Sequence, residues 1–204
     1  MRAAPAPVAG SGFRCDDRDM VESLAGKLLV ASPLLVDPNF YRTVVLMCLH
    51  DNDGAMGLVL NRPVAAALVS EHLPEWHHAV TPPDVLFRGG PVEPAAALAL
   101  GHAAAGVEPL DWTAVAHRVG LVDMSKDPSE FAQTIDRVRI FGGYAGWGAG
   151  QLADEIEEKA WFVLDSWPTD FFTDQPETLW REVLRRQGGD LQLMASYPED
   201  PALN

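Results

Sequence analysis

The densest run of residues able to do chemistry is Arg139-Ile140-Phe141-Gly142-Gly143-Tyr144-Ala145-Gly146-Trp147-Gly148, followed by Ala149-Gly150-Gln151. Glycines leave backbone amides accessible, and amides beside a guanidinium at the start of a helix can cradle an anion. Arg139, Tyr144, Trp147 and Gln151 are therefore candidate ligand-binding residues, with a small anionic ligand as the matching partner. The competing reading is that the glycines admit a neighbouring backbone while the aromatic rings fill core, and the residue types favour it. Gly148-Ala149-Gly150 before a helix also echoes a dinucleotide fingerprint. That motif needs its glycines where a strand ends, whereas a strand over Arg139–Phe141 stops well short of them, so a loop and helix start is expected instead.

Two further arginines stand at strand ends, in Asn61-Arg62-Pro63 and in Arg88-Gly89-Gly90-Pro91. Asn61 and Arg62 join the candidate ligand-binding set, because ligands often settle where strands give way to loops. Arginines so placed more commonly hold loop carbonyls and carboxylates. Cys48 and His50, two apart in a strand, have the relation a thiolate and its base would use, but the apolar neighbours Val44 and Leu46 point to inert packing. His72, His77 and His78 lack partners at metal-ligand spacing, and Asp51 and Asp53 before Gly54 lack the later carboxylates of a calcium loop. The sequence carries no Gly-x-Ser-x-Gly elbow, no phosphate-binding Gly-Lys-Ser/Thr and no His-Glu-x-x-His. No catalytic residue, metal site or cofactor is assigned; a non-enzymatic role leads, and the alternative is a small-molecule site, or an enzyme acting on an anionic substrate, built from Arg62, Arg139, Tyr144 and Trp147 around the glycine-rich turn.

Composition narrows the partners. The 204 residues are 48% hydrophobic, enough for a substantial core, and 15 Lys and Arg against 29 Asp and Glu leave a net charge of −14. That charge repels polyanions, so direct nucleic-acid binding is disfavoured. The two cysteines, Cys15 and Cys48, do not make a disulfide framework, and nothing reads as a secretory signal or a membrane span. A cytoplasmic protein is expected, with a loose tail over residues 1–19 and a single α+β domain over residues 20–204.

The elements that must position these residues follow from pattern. Lys27–Ala31 and Thr43–His50 are short β-branched and aliphatic runs that read as strands, and Asp53-Gly54 predicts a hairpin from the second into Met56–Asn61. A helix is expected over Ala65–Leu73, a surface loop over Pro74–Pro83, and strands at Val85–Arg88 and near Ala95–Leu100. Asp127-Pro128-Ser129-Glu130 has the parts of a helix start, with Phe131, Ile135 and Val138 on one face of the helix that would follow. Further helices are expected at Gln151–Lys159 and from Pro176 to about Gln187, closed by Gly188-Gly189, with a strand at Trp161–Leu164 between them. Glu177 with Arg181 and Glu182 with Arg186 read as ion pairs along the last helix.

Several of these segments occur together in one known family. Gly26-Lys27-Leu28-Leu29-Val30-Ala31 with Pro33, then Gly54 through Asn61-Arg62-Pro63, Gly89-Gly90-Pro91-Val92, Gly143-Tyr144-Ala145-Gly146-Trp147, and Gly150-Gln151-Leu152 with Glu155 resemble the AlgH/YqgE family of bacterial proteins. The resemblance spans roughly Gly26 to Gly189. It implies an α+β fold whose largely antiparallel, barrel-like sheet is bifurcated and flanked by helices, in a cytosolic protein. The AlgH name carries a proposed role in transcriptional regulation of alginate synthesis, which the resemblance extends here as a regulatory or interaction role with a protein partner or a small anionic ligand. It brings no assigned roles for Asn61, Arg62, Tyr144, Trp147 or Gln151.

Overall fold

Ten strands and four short helices make up the computed structural model, which describes residues 22–198 apart from residue 111. The tail expected over residues 1–19, with Cys15, lies outside the described residues. The strands are β1 (Lys27–Ala31), β2 (Val44–Asp51), β3 (Gly54–Val59), β4 (Pro63–Leu68), β5 (Val85–Arg88), β6 (Val92–Ala103), β7 (Trp112–Ala116), β8 (Val119–Val122), β9 (Ile135–Gly148) and β10 (Trp161–Asp165). The helices are α1 (Val69–His72), α2 (Gln151–Glu157), α3 (Leu179–Arg185) and α4 (Gly189–Met194).

Pairing runs in the order β10-β1-β2-β3-β9-β6-β8-β7, antiparallel at every step. β5 lies parallel to β9 and antiparallel to β4, so the sheet forks at β9. One edge of β9 meets β3 through Ala145–Gly148 and β5 through Phe141–Gly142, while the other follows β6. The result is a mostly antiparallel sheet curled into a half-barrel with a few short helices, the expected α+β class. Near the chain start, a Cβ on Gly26 would come within 2.8 Å of the Ala116 Cβ, so the curl brings β7 against the turn before β1.

β1 and β2 are covered on both faces, which explains their continuous apolar runs in place of alternation. One face, with Leu28, Val30, Leu46 and Cys48, packs against Phe87, Phe141, Phe171 and the inner side of α3. The other, with Leu29, Ala31, Val45 and Met47, packs against Trp147, Leu152 and Trp161. A third cluster gathers Val69, Trp76, Phe131, Ile135, Val138 and Ile140 around the start of β9.

Several expectations need correction. The helix expected over Ala65–Leu73 is strand β4 followed by the single turn α1, because pairing with β5 overrides the alanine preference for helix. The capping box at Asp127 is present, with Ser129 N–H donating to its carboxylate and Glu130 accepting from Asp127 N–H, but it closes only one 3-10 turn, Pro128–Phe131. The chain then enters β9, where Ala103 pairs with Ile135 and His102 with Arg137; this irregularity is how Ile135 and Val138 share a cluster without a helix. β9 continues through the glycines to Gly148 instead of ending at Phe141. The β7–β8 hairpin, turning at His117 and Arg118 with positive φ, and α4 beyond Gly188 add to the expected elements.

The glycines of β9 face another pair. A Cβ on Gly89 would lie 2.1 Å from Gly143 O, and one on Gly90 would lie 2.1 Å from Tyr144 C. Both contacts are with backbone, which has nowhere to move. Gly90→Ala is accordingly expected to lower the unfolding free energy by about 3 kcal/mol or more, whereas Gly148→Ala, whose Cβ would meet only Gln151 Oε1 at 3.9 Å, stays within about 0.5 kcal/mol of the parent; urea denaturation midpoints decide.

Candidate functional site

The six candidate residues occupy four separate environments. Asn61 and Arg62 follow β3, where the chain turns towards Pro63. Asn61 is buried, its Oδ1 accepting from Val44 N–H at 2.9 Å and its Nδ2 donating to Arg42 O at 2.9 Å, so one amide locks the end of β3 to the start of β2. Arg62 is partly buried and donates to Tyr41 O. Its backbone carbonyl accepts from Arg88 N–H at 2.8 Å, which makes the two arginines sheet neighbours. Burial, and secondarily the charge of Arg88, lower the Arg62 proton affinity.

Around Asn61 and Arg62 a cleft of about 250 Å³ is completed by Tyr41, Arg42, Glu177, Trp180 and Arg181. Arg42 is held in the left-handed region at φ 53°, a strained setting for a long side chain. Its guanidinium lies 4.7 Å from the Trp180 ring and donates to Tyr197 O and Pro198 O. Trp180 in turn donates to Ala31 O at 2.8 Å, so α3 forms a fixed wall. Tyr41, Arg42, Trp180 and Arg181 were not singled out as site residues, since no local spacing links the loop before β2 to α3; only their common approach to Asn61-Arg62 defines them.

Arg139 lies elsewhere, at 1% exposure in the interior. It donates to Phe171 O, Pro82 O and Thr173 O at 3.1, 3.2 and 2.8 Å, and its guanidinium sits 4.4 Å from the Phe87 ring. Carbonyl dipoles and a ring face, rather than a carboxylate, meet this charge among the described residues, and burial pushes its pKa down to about 10. Arg139 thus ties two loops to β9. Arg62 holds a loop carbonyl, as arginines at strand ends commonly do, and Arg139 holds loop carbonyls from within β9.

Trp147 and Gln151 converge on Glu155 in α2. The indole N–H groups of Trp147 and Trp161 donate to Glu155 Oε2 at 2.9 and 2.8 Å, and Gln151 Nε2 donates to Oε1 at 2.9 Å. Gln151 Oε1 also accepts from Gly148 N–H at 3.1 Å, joining the end of β9 to the helix. The rings of Phe40, Trp147 and Trp161 pack against one another, leaving the group as a tie between sheet and helix. Tyr144 pairs with Val92 in the sheet and packs, partly buried, against the main core. Arg62, Arg139, Tyr144 and Trp147 therefore do not share one cavity. The fingerprint reading fails on topology: β9 does end at Gly148, but three strands separate it from β10 and α2 spans only 7 residues.

Other expectations resolve in the same way. Arg186 does not pair with Glu182; it clasps Asp170 through two contacts of 2.6 and 2.8 Å, and Glu182 accepts from Thr178 Oγ1 instead. His50 Nδ1 accepts from Leu24 N–H at 3.0 Å, while Cys48 sits at a bulge in β2 with 2% exposure. Among the described residues, no three His, Cys, Asp or Glu side chains gather as metal ligands, and no helix is long and apolar enough to cross a membrane.

The fold and these motifs agree with comparisons to known proteins. A family described as AlgH-like matches residues 28–192, and the chain belongs to that family. A UPF0301 protein of Streptomyces coelicolor is 50% identical over 188 residues, covering 90% of this chain and 97% of the relative. One from Thermobifida fusca is 46% identical over 191 residues, covering 89% and 96%. Among solved structures, a Corynebacterium diphtheriae protein superposes with a TM-score of 0.81 at 33% identity, covering 87% of this chain and 94% of that one. The solution structure of the Pseudomonas aeruginosa AlgH protein gives 0.65 at 30% identity, covering 87% and 96%.

Cys48 provides a check on the interior. Burial pushes its thiol up to about 12 from an ordinary 9.0. A folded pKa above the unfolded one contributes stability that is complete below the unfolded value and is lost as pH rises towards the folded one. The stability difference between parent and Cys48→Ala should therefore be flat below pH 9 and fall by about 1.4 kcal/mol per unit above it, measured by urea unfolding across that range.

Proposed function

We propose that this protein binds a small anion in the cleft between the Asn61-Arg62 turn and α3, and that it serves as a ligand-responsive regulatory or interaction protein rather than a catalyst. The observation that carries the reading is the composition of that cleft: among the described residues, Arg42, Arg62 and Arg181 line it with one carboxylate, Glu177, in a chain whose net charge is −14. Concentrating like charge in a concave site raises the local concentration of a counter-ion, and partial burial strengthens each contact that a bound anion makes. Arg88 adds a further charge beside Arg62, and its side chain makes no hydrogen bond among the described residues.

The shape also supports binding over turnover. Asn61 has its amide committed to two backbone groups, and Trp180 and Arg42 are fixed by the loops they hold. Such a frame is preorganised for recognition, and its described lining carries no serine, cysteine, lysine or histidine. A volume of about 250 Å³ suits a phosphate, a phosphate monoester or a short dicarboxylate. A regulatory role of the kind the AlgH name implies would then run through occupancy of this cleft, with duplex contact disfavoured by the overall charge.

Isothermal titration of the full chain with inorganic phosphate and with succinate at low ionic strength tests the reading. Saturable binding is expected, weakened about tenfold by Arg62→Gln and by Arg88→Gln. Absence of binding by both anions at millimolar concentration, or binding indifferent to both substitutions, would overturn it.

A further inference from the structure

A second cavity, of about 460 Å³, opens between the loop after α1 and the turn at Asp127–Phe131. Its walls are well anchored. The loop is held to β9 by Thr81 N–H donating to Val138 O at 2.8 Å and by the Val80–Val138 bridge, and the opposite turn is closed by its capping box. Trp76 and Phe131, buried and nearly parallel with centroids 6.2 Å apart, form an apolar wall with Ile135 and Val138.

The polar lining has one sign. Glu75, Asp127 and Asp136 contribute carboxylates, Ser129 a hydroxyl and His78 an imidazole, and among the described residues neither lysine nor arginine lines the cavity. Asp127 is engaged with its own turn, and Asp136 Oδ1 lies 2.6 Å from His102 Nδ1. Glu75 is exposed and makes no hydrogen bond or ion pair among the described residues.

We propose that this cavity binds a small organic cation with an apolar body, an amine carried on an aromatic or aliphatic group. The apolar wall removes the body from water, while the carboxylates at the mouth favour an ammonium and repel an anion of the same shape. A volume of this size accommodates such a molecule whole. The charge preference is opposite to that of the arginine cleft, and the two sites share no lining residue, so their ligands are separable.

The test is a two-dimensional amide NMR titration of the full chain with tryptamine and, as its charge-reversed counterpart, indole-3-acetate. Tryptamine is expected to shift the amides of residues 75–79 and 129–132 and to bind at least about fivefold more tightly than indole-3-acetate at low salt. Glu75→Gln, on an exposed side chain that supports nothing else, is expected to reduce that preference, and Asp136→Asn to reduce it independently. Equal affinity for the two probes, a preference unchanged by both substitutions, shifts confined to the arginine cleft, or no shift at millimolar tryptamine would each overturn the proposal.

Discussion

Two backbone segments pass each other here at a distance that side chains forbid, Gly89-Gly90 against Gly142–Tyr144, and the architecture is arranged around that passage. Where they meet, Gly89 N–H donates to Gly142 O and Gly89 O accepts from Val59 N–H, both at 2.9 Å, so one residue stitches β3, β5 and β9 together. The fork in the sheet follows directly. β3 can pair with β9 only as far as Ala145, because the 88–90 segment takes over the same edge beyond it. The fork also makes Arg62 and Arg88 neighbours and fixes where Asn61 projects.

Buried polar groups with several hydrogen bonds each complete the frame. Arg139 binds three carbonyls from two loops, Asn61 bridges two backbone groups, Glu155 collects two indoles and an amide, and Asp170 is clasped by Arg186. Removing one member of such a set leaves its partners buried without a bond, which costs far more than the bond itself contributes. These polar and aromatic residues thus have structural employment. The two cavities proposed for ligands lie at the margins of that frame and differ in electrostatic character.

Local pattern revealed much of this and missed the rest for physical reasons. The Asp53-Gly54 hairpin, β1, β5, β10, α2 and α3 were legible because turn residues and apolar runs there agree with the final pairing. Strand β4 and the start of β9 were misread as helix, since Ala65–Ala67 and the capping box at Asp127 carry helical preference that only distant strands overrule. The glycine-aromatic run was correctly expected to admit a neighbouring backbone, but not to remain a strand throughout. Of the cleft, Asn61 and Arg62 were visible at a strand end, whereas Arg42, Trp180 and Arg181 arrive from loops and a helix far away in the chain. Contacts of that range leave no spacing to read.

The central claim is that the glycine passage is the part of the fold that opens last, with the cleft preorganised because it is built on that passage. Native-state hydrogen exchange of the amides of Val59, Arg88 and Gly89, each bonded across the fork, addresses this most directly. The account predicts that all three exchange only through global unfolding, with a free energy equal to that from denaturant titration. Exchange through local opening, at free energies typical of surface loops while β1 and β2 stay protected, would contradict it.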